Sequence, residues 1–288
     1  MTAHDSAVPT VAMEGPPPRS SGRLRVEGGE LYYEVTGRGP VIVFAHGLGG
    51  NHMSWWQQVS HFQRTHTCVT FAHRGFYPSS LDAGQPDPRR YAEDLKVLLD
   101  HLLIERAHLV GQSMGGWTVI EYCVRHPARV SSVVLSATTG SIDPGRMSSL
   151  DASEFARWKS DSENSAQSIR SAGIHPAAGA RMAREQPSLH LLYQQIDGLS
   201  RHLDKEVVRA GLYGLRVREP AELAATAVPV LLISPDEDIV IAPPALRALA
   251  RELPGATLAA LPATGHSPYF ERAPDFNRCL DEFFAKIR

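Results

Sequence analysis

Short, nearly wholly apolar runs recur along this chain with helix-patterned stretches between them, and that alternation narrows the fold more than any other feature. Val41-Ile42-Val43-Phe44-Ala45 and Cys68-Val69-Thr70-Phe71-Ala72 are the first two. Leu109-Val110 and Val133-Val134-Leu135 lie in two more, and residues 228–233 supply another after a long gap. A strand that is apolar on both faces has no side to turn to water, so helices must cover both. Helices between such strands carry the chain back across the sheet, which leaves the strands parallel. The helical stretches are expected at about 54–64, 88–103 and 115–126, then 245–253 and 274–287, with a further strand at 257–261. The second of these carries Tyr91, Leu95, Leu98, Leu99, Leu102 and Leu103 at close to helical spacing.

Two departures from the rhythm divide the chain. Leu24-Arg25-Val26 and Leu31-Tyr32-Tyr33-Glu34-Val35 flank Gly28-Gly29 and read as a hairpin ahead of the first parallel strand. Residues 141–225 are polar, helix-prone and poor in strand-like runs, which predicts a helical cap over the carboxyl edge of the sheet. The expected organisation is a tail at 1–22, an α/β core at 23–140 and 226–288, and the cap at 141–225. The sheet is predicted to be mostly parallel, with helices on both sides. Residues 1–22 are rich in Ala, Ser and Pro, including Pro16-Pro17-Pro18, and are expected to be flexible. No run reaches the length of a membrane helix.

Charge and cysteine content limit the functions to consider. A formal net charge of -2 offers no basic field for nucleic acid and no polybasic patch for a membrane. Cys68, Cys123 and Cys279 are far apart and odd in number, so neither a disulfide framework nor a metal-spaced cluster is expected. A reducing cytoplasm is the expected compartment, and the oligomeric state is not legible.

Chemistry enters at Gly111-Gln112-Ser113-Met114-Gly115-Gly116, directly after an apolar run and before a helical one. A serine on a strand-to-helix turn flanked by glycines has its hydroxyl exposed at the sheet edge, and the following helix points its positive end there. A serine needs a base, and the base an anionic partner. His266, in Ala263-Thr264-Gly265-His266-Ser267-Pro268, follows the strand at 257–261 and is the favoured base. Asp236, Glu237 and Asp238 follow the strand at 228–233; Asp238 is favoured as the acid, with Asp236 in reserve. His46-Gly47-Leu48-Gly49-Gly50 follows the strand at 41–45, so the backbone N–H groups of Leu48 and Met114 are the candidates for holding an oxyanion. Trp55, Trp56 and Trp117 stand near these motifs, and Trp55 and Trp117 are the candidate substrate contacts.

With its order Ser113, Asp238, His266, the chain resembles the α/β-hydrolase fold superfamily, in particular its capped small serine hydrolases. His46-Gly47, Arg74-Gly75-Phe76, the Ser113 turn, Asp238 and Gly265-His266-Ser267-Pro268, followed by Glu271, Pro274 and Phe276-Asn277, carry the resemblance. It implies a Ser-His-Asp triad that cleaves a carboxylic ester or lactone through an acyl-enzyme, with a small acyl substrate as partner and no cofactor or metal. Carbon–carbon hydrolases of ring-cleavage products, cofactor-free perhydrolases and non-turnover receptors share the fold and stay open as alternatives. His73 stands where such proteins usually have Asp, which is read as an altered loop near the cavity entrance.

Overall fold

The computed structural model describes residues 15–287. In chain order the first half comprises β1 (Arg19–Val26), β2 (Gly29–Gly37), β3 (Val41–Ala45), α1 (Trp56–Phe62), β4 (Thr67–Phe71), the short β5 (Ser80–Leu81), α2 (Tyr91–His101), β6 (Ala107–Gln112), α3 (Gly115–Arg125) and β7 (Val130–Ser136). The helices α4 (Ala152–Ser171), α5 (Gly179–Glu185), α6 (Pro187–Gly198), α7 (Lys205–Gly214) and α8 (Pro220–Ala224) come next. The chain ends with β8 (Val230–Pro235), α9 (Pro243–Glu252), β9 (Thr257–Leu261), α10 (Pro268–Glu271) and α11 (Ala273–Phe284).

One sheet runs β1-β2-β4-β3-β6-β7-β8-β9, with β5 alongside β2. From β4 to β9 every neighbouring pair is parallel, while β1, β2 and β5 pair antiparallel, so the mostly parallel sheet is as expected. The central strands are apolar throughout because alternate side chains enter different cores. Val43, Leu109 and Val133 face a cluster with Leu95 and Leu98 of α2, Val119 of α3 and Leu249 of α9. Ile42, Phe44, Val110 and Val134 face the opposite cluster, which holds Phe62 of α1 and Phe276 and Leu280 of α11. Among the described residues no helix is long and apolar enough to cross a membrane.

The structure departs from expectation at two places. Residues 1–14 of the expected tail lie outside the described residues, but Arg19 to Gly22 belong to β1. They are paired residue by residue with β2, from Arg19 opposite Thr36 to Val26 opposite Gly29, so a full strand of backbone hydrogen bonds orders them. Leu103 is not a helical core residue; α2 ends at His101, and Leu103 has φ +55° and is 88% exposed. Its left-handed turn lets the Ile104 N–H reach Leu99 O at 2.9 Å, a common way to close a helix.

The strand order positions the site. After β3 the chain moves outward to β4, then crosses back to β6 on the other side of β3. Where the connections from two adjacent strands diverge, a crevice opens at their carboxyl ends. Here the turns following β3 and β6 are 46–50 and 113–114. Four longer helices, α4 to α7, stand between β7 and β8, whereas α8 lies against α3 and α9 on the sheet.

Candidate active site

Ser113 occupies the turn between β6 and α3 with φ +49°. This left-handed conformation costs a non-glycine residue on the order of 1–3 kcal/mol, and such strain gathers at functional sites. Its N–H donates to Ser136 O of β7 at 3.0 Å, which holds the turn over the sheet edge. Two glycines make the turn possible by close approach. A Cβ on Gly111 would lie 2.6 Å from Gly115 O, and one on Gly115 would lie 2.1 Å from Ala45 O. Only bare Cα atoms allow α3 to start this near to β3 and β6.

The 46–50 turn is fixed from below by a neutral imidazole. His46 Nε2 accepts the His73 N–H at 2.9 Å, so the ring proton is on Nδ1, which donates to Gly47 O at 2.7 Å. Burial lowers the His46 pKa to about 3, and burial also holds His73 well below its ordinary value. His73 is therefore not at an entrance. It is buried beneath the turn, edge-on to His46, with Nε2 2.8 Å from the Thr118 hydroxyl. Among the described residues, neither the Leu48 nor the Met114 backbone N–H has a protein acceptor.

His266 and Asp238 are brought together after β9 and β8. His266 Nδ1 lies 2.8 Å from Asp238 Oδ2, and both side chains are almost fully buried. The other carboxylate oxygen, Oδ1, accepts the N–H groups of Val240 at 2.7 Å and Ile241 at 2.9 Å. Asp236 points elsewhere and accepts the Thr264 N–H at 3.2 Å. The favoured acid is therefore the one against the histidine, and the reserve caps the loop that carries it.

Ser113, His266, Leu48 and Met114 line one cavity of about 940 Å³. Its far walls come from the helices between β7 and β8, through Trp158 of α4, Tyr193 of α6 and Tyr213 of α7. Trp158 Nε1 donates to Asp238 O at 2.8 Å, joining that wall to the acid's backbone. Trp117 also lines the cavity, its Nε1 donating to Leu212 O at 2.9 Å. Trp55 does not. It is fully buried on the other face of the sheet, stacked with Phe44 and Tyr269, and is a core residue. The helical turn His52–Trp55 directs that indole inward, and Trp56 is 47% exposed.

Gln112 is a site residue that the sequence reading gave no role. Its Nε2 donates to His266 O at 2.9 Å, and its Oε1 would sit 2.1 Å from any Cβ on Gly47. One amide thus touches the histidine's backbone and the 46–50 turn from the residue preceding Ser113. A second cavity of about 450 Å³ lies behind the histidine loop, lined in part by Gly265 and Glu271. Glu271 is buried, and its Oε1 has no hydrogen-bond partner among the described residues. Burial raises its pKa to about 8, against the opposing pull of the Gly265 N–H and Arg272.

A mostly parallel sheet with a strained serine at its switch point is the arrangement of the α/β-hydrolase fold. A family model described as alpha/beta hydrolase fold matches residues 40–164, and the chain has the α/β-hydrolase fold. It is 29% identical over 271 residues to the putative carbamate hydrolase RutD of Variovorax paradoxus, across 89% of this chain and 97% of that protein. The solved structure of Est816, titled an N-acyl homoserine lactone degrading enzyme, is similar at a TM-score of 0.73 with 25% identity, covering 91% of this chain and all (100%) of that one. The enol-lactonase from Burkholderia xenovorans LB400 shares the fold at a TM-score of 0.72 with 23% identity, covering 92% of this chain and 100% of that one. The chain is a hydrolase.

Proposed function

We propose that this hydrolase cleaves a carboxylic ester or lactone through an acyl-enzyme on Ser113. The single observation that carries the reading is the shared cavity. A serine on a strained strand–helix turn, a histidine paired with a buried aspartate, and two residues whose backbone N–H groups are unclaimed among the described residues line the same space. In the proposed reaction Ser113 Oγ attacks the carbonyl carbon as its proton passes to His266 Nε2. The carbonyl electron pair moves onto oxygen, where the N–H groups of Leu48 and Met114 receive it. Asp238 holds the Nδ1–H and offsets the imidazolium charge. Collapse breaks the bond to the alcohol oxygen, which takes the proton from Nε2. Water then repeats the sequence with His266 as base and releases the acid. In this reading α4 to α7 form the cap that selects the substrate, with Trp117 as one wall of the pocket.

The names of the relatives fit this chemistry, since lactone and carbamate hydrolysis both begin with attack on an acyl carbon. The test combines fluorophosphonate labelling with turnover of short p-nitrophenyl esters, simple lactones and a dienone acid. Wild type is expected to label and to turn over esters or lactones, and Ser113→Ala to lose the label and about 10⁴–10⁶ of the rate. Labelling without turnover would make the protein a receptor. A strong preference for the dienone acid would make it a carbon–carbon hydrolase.

A further inference from the structure

The wall of the cavity above the 46–50 turn is charged, and the charges are arranged. Asp197, near the end of α6, rests on the turn itself: a Cβ on Gly49 would lie 3.1 Å from Asp197 Oδ1 and 2.9 Å from the Tyr193 hydroxyl. Lys205 Nζ donates to Asp197 Oδ1 at 2.5 Å and to Asp197 O at 3.0 Å. His175 Nε2 lies 3.6 Å from the same carboxylate oxygen. Lys205, Asp197 and His175 all line the cavity that holds Ser113 and His266.

Two features separate Lys205 from an ordinary solvated lysine. It is the first residue of α7, where a cation meets the positive end of the helix dipole, so helix stability does not account for it. Its side chain is only 20% exposed, and an ammonium has three N–H donors. Asp197 takes two, and among the described residues no protein group takes the third. Elsewhere on the lining, the cations of Lys159 and Arg170 have no ion-pair partner among the described residues and exceed the single unpaired Glu163. The cavity therefore carries a surplus of positive charge, with one partly desolvated donor held beside the oxyanion turn.

We propose that Lys205 is a specificity-determining residue that binds a carboxylate carried by the substrate in addition to its scissile group. The preferred substrate class is then a half-ester of a dicarboxylic acid or a lactone bearing a free acid. This rests on the ester or lactone hydrolase reading above. Asp197 fixes the ammonium so that its third N–H faces the ligand without first losing a partner. Hydrogen bonds to charged groups in such settings change affinity by about 10–100-fold.

The experiment compares mono-p-nitrophenyl glutarate with p-nitrophenyl hexanoate, a neutral ester of similar length, on wild type, Lys205→Met and Lys205→Arg. Binding of monomethyl glutarate to Ser113→Ala, with and without Lys205→Met, is measured by calorimetry. The ratio of kcat/KM for the half-ester over the neutral ester is expected to fall at least tenfold in Lys205→Met, mainly through KM, and to recover substantially in Lys205→Arg. Monomethyl glutarate binding is expected to weaken by a similar factor. A ratio that stays within twofold overturns the assignment, because a merely structural effect on Asp197 and the turn lowers both esters together. Turnover of both esters with no such change would refute Lys205 and leave the hydrolase reading standing. Lysine-dependent binding without turnover would keep the carboxylate site and remove that reading.

Discussion

Replacing Asp238 by asparagine tests whether the carboxylate fixes the histidine's tautomer, and the structure says which way the amide must turn. Asp238 Oδ1 is held by the N–H groups of Val240 and Ile241 at 2.7 and 2.9 Å, while Oδ2 faces His266 Nδ1 at 2.8 Å. Asparagine has one acceptor oxygen, and two backbone donors claim it. Reversing the amide would aim an NH₂ at both donors in a site where Asp238 and His266 are only 2% and 3% exposed. The amide nitrogen therefore faces His266, donates to Nδ1 and drives the ring proton to Nε2. A protonated Nε2 cannot take the proton of Ser113. Such a change typically costs about 10³–10⁴ in kcat, equivalent to about 4–5.5 kcal/mol of transition-state stabilisation. Both backbone hydrogen bonds survive and no charge is buried, so the thermal midpoint should move by only a few degrees. The assay is steady-state turnover of a p-nitrophenyl ester beside circular dichroism melting. Asp236→Asn is the control. Its amide oxygen can still accept the Thr264 N–H, so activity should stay within about threefold. A folded Asp238→Asn variant with less than a tenfold loss would refute the tautomer argument.

Two further predictions concern the frame around the site. Gly115→Ala should destabilise by about 3 kcal/mol or more, because its Cβ would meet Ala45 O at 2.1 Å and backbone cannot step aside; a urea midpoint equal to wild type would show that α3 is not pinned to β3. Glu271→Gln probes the carboxyl behind the histidine loop. Its pKa rises from an ordinary 4.5 to about 8 through burial, so the folded protein holds this proton more tightly than the unfolded chain. The resulting stability is fully present below pH 4.5 and is lost as pH rises through about 8, a change of order a few kcal/mol. The glutamine variant lacks that loss, so its unfolding free energy relative to wild type should improve from pH 5 to pH 8. A relative decline over that interval would contradict the buried-carboxyl reading.

The central strands and the chain order of the site were legible because they rest on local patterns that tertiary packing must respect. A strand with Ile42, Val43, Phe44 and Ala45 in succession has no water-facing side, and a glycine-flanked Ser113 after such a strand has few other uses. The features that were not legible depend on direction in space. Asp236 and Asp238 are chemically equal in sequence; the turn that presents Oδ1 of Asp238 to two N–H groups and Oδ2 to His266 makes the distinction. Trp55 stands six residues after Gly49, which lines the cavity, yet its helical turn sends the ring to the α11 side of the sheet. The pairing of β1 extends to Arg19 through backbone groups that no side-chain pattern reports.

Polar residues of the helical insert were the least readable, and the reason bears on how such a hydrolase acquires specificity. On two successive helices of mixed charge, Asp197 and Lys205 look like any solvated pair. Their position becomes informative only because Gly49 leaves room for Asp197 and Tyr193 to rest on the 46–50 turn. The same turn is held from beneath by His46 through Gly47 O and from the side by Gln112, which also holds the backbone of His266. A group that binds at the insert therefore acts on a segment already coupled to the serine turn and the histidine loop. On the proposed reading, a change of substrate preference need not alter Ser113, Asp238 or His266. It requires only a different side chain on the insert face that meets Gly49, which is a surface the core strands do not constrain.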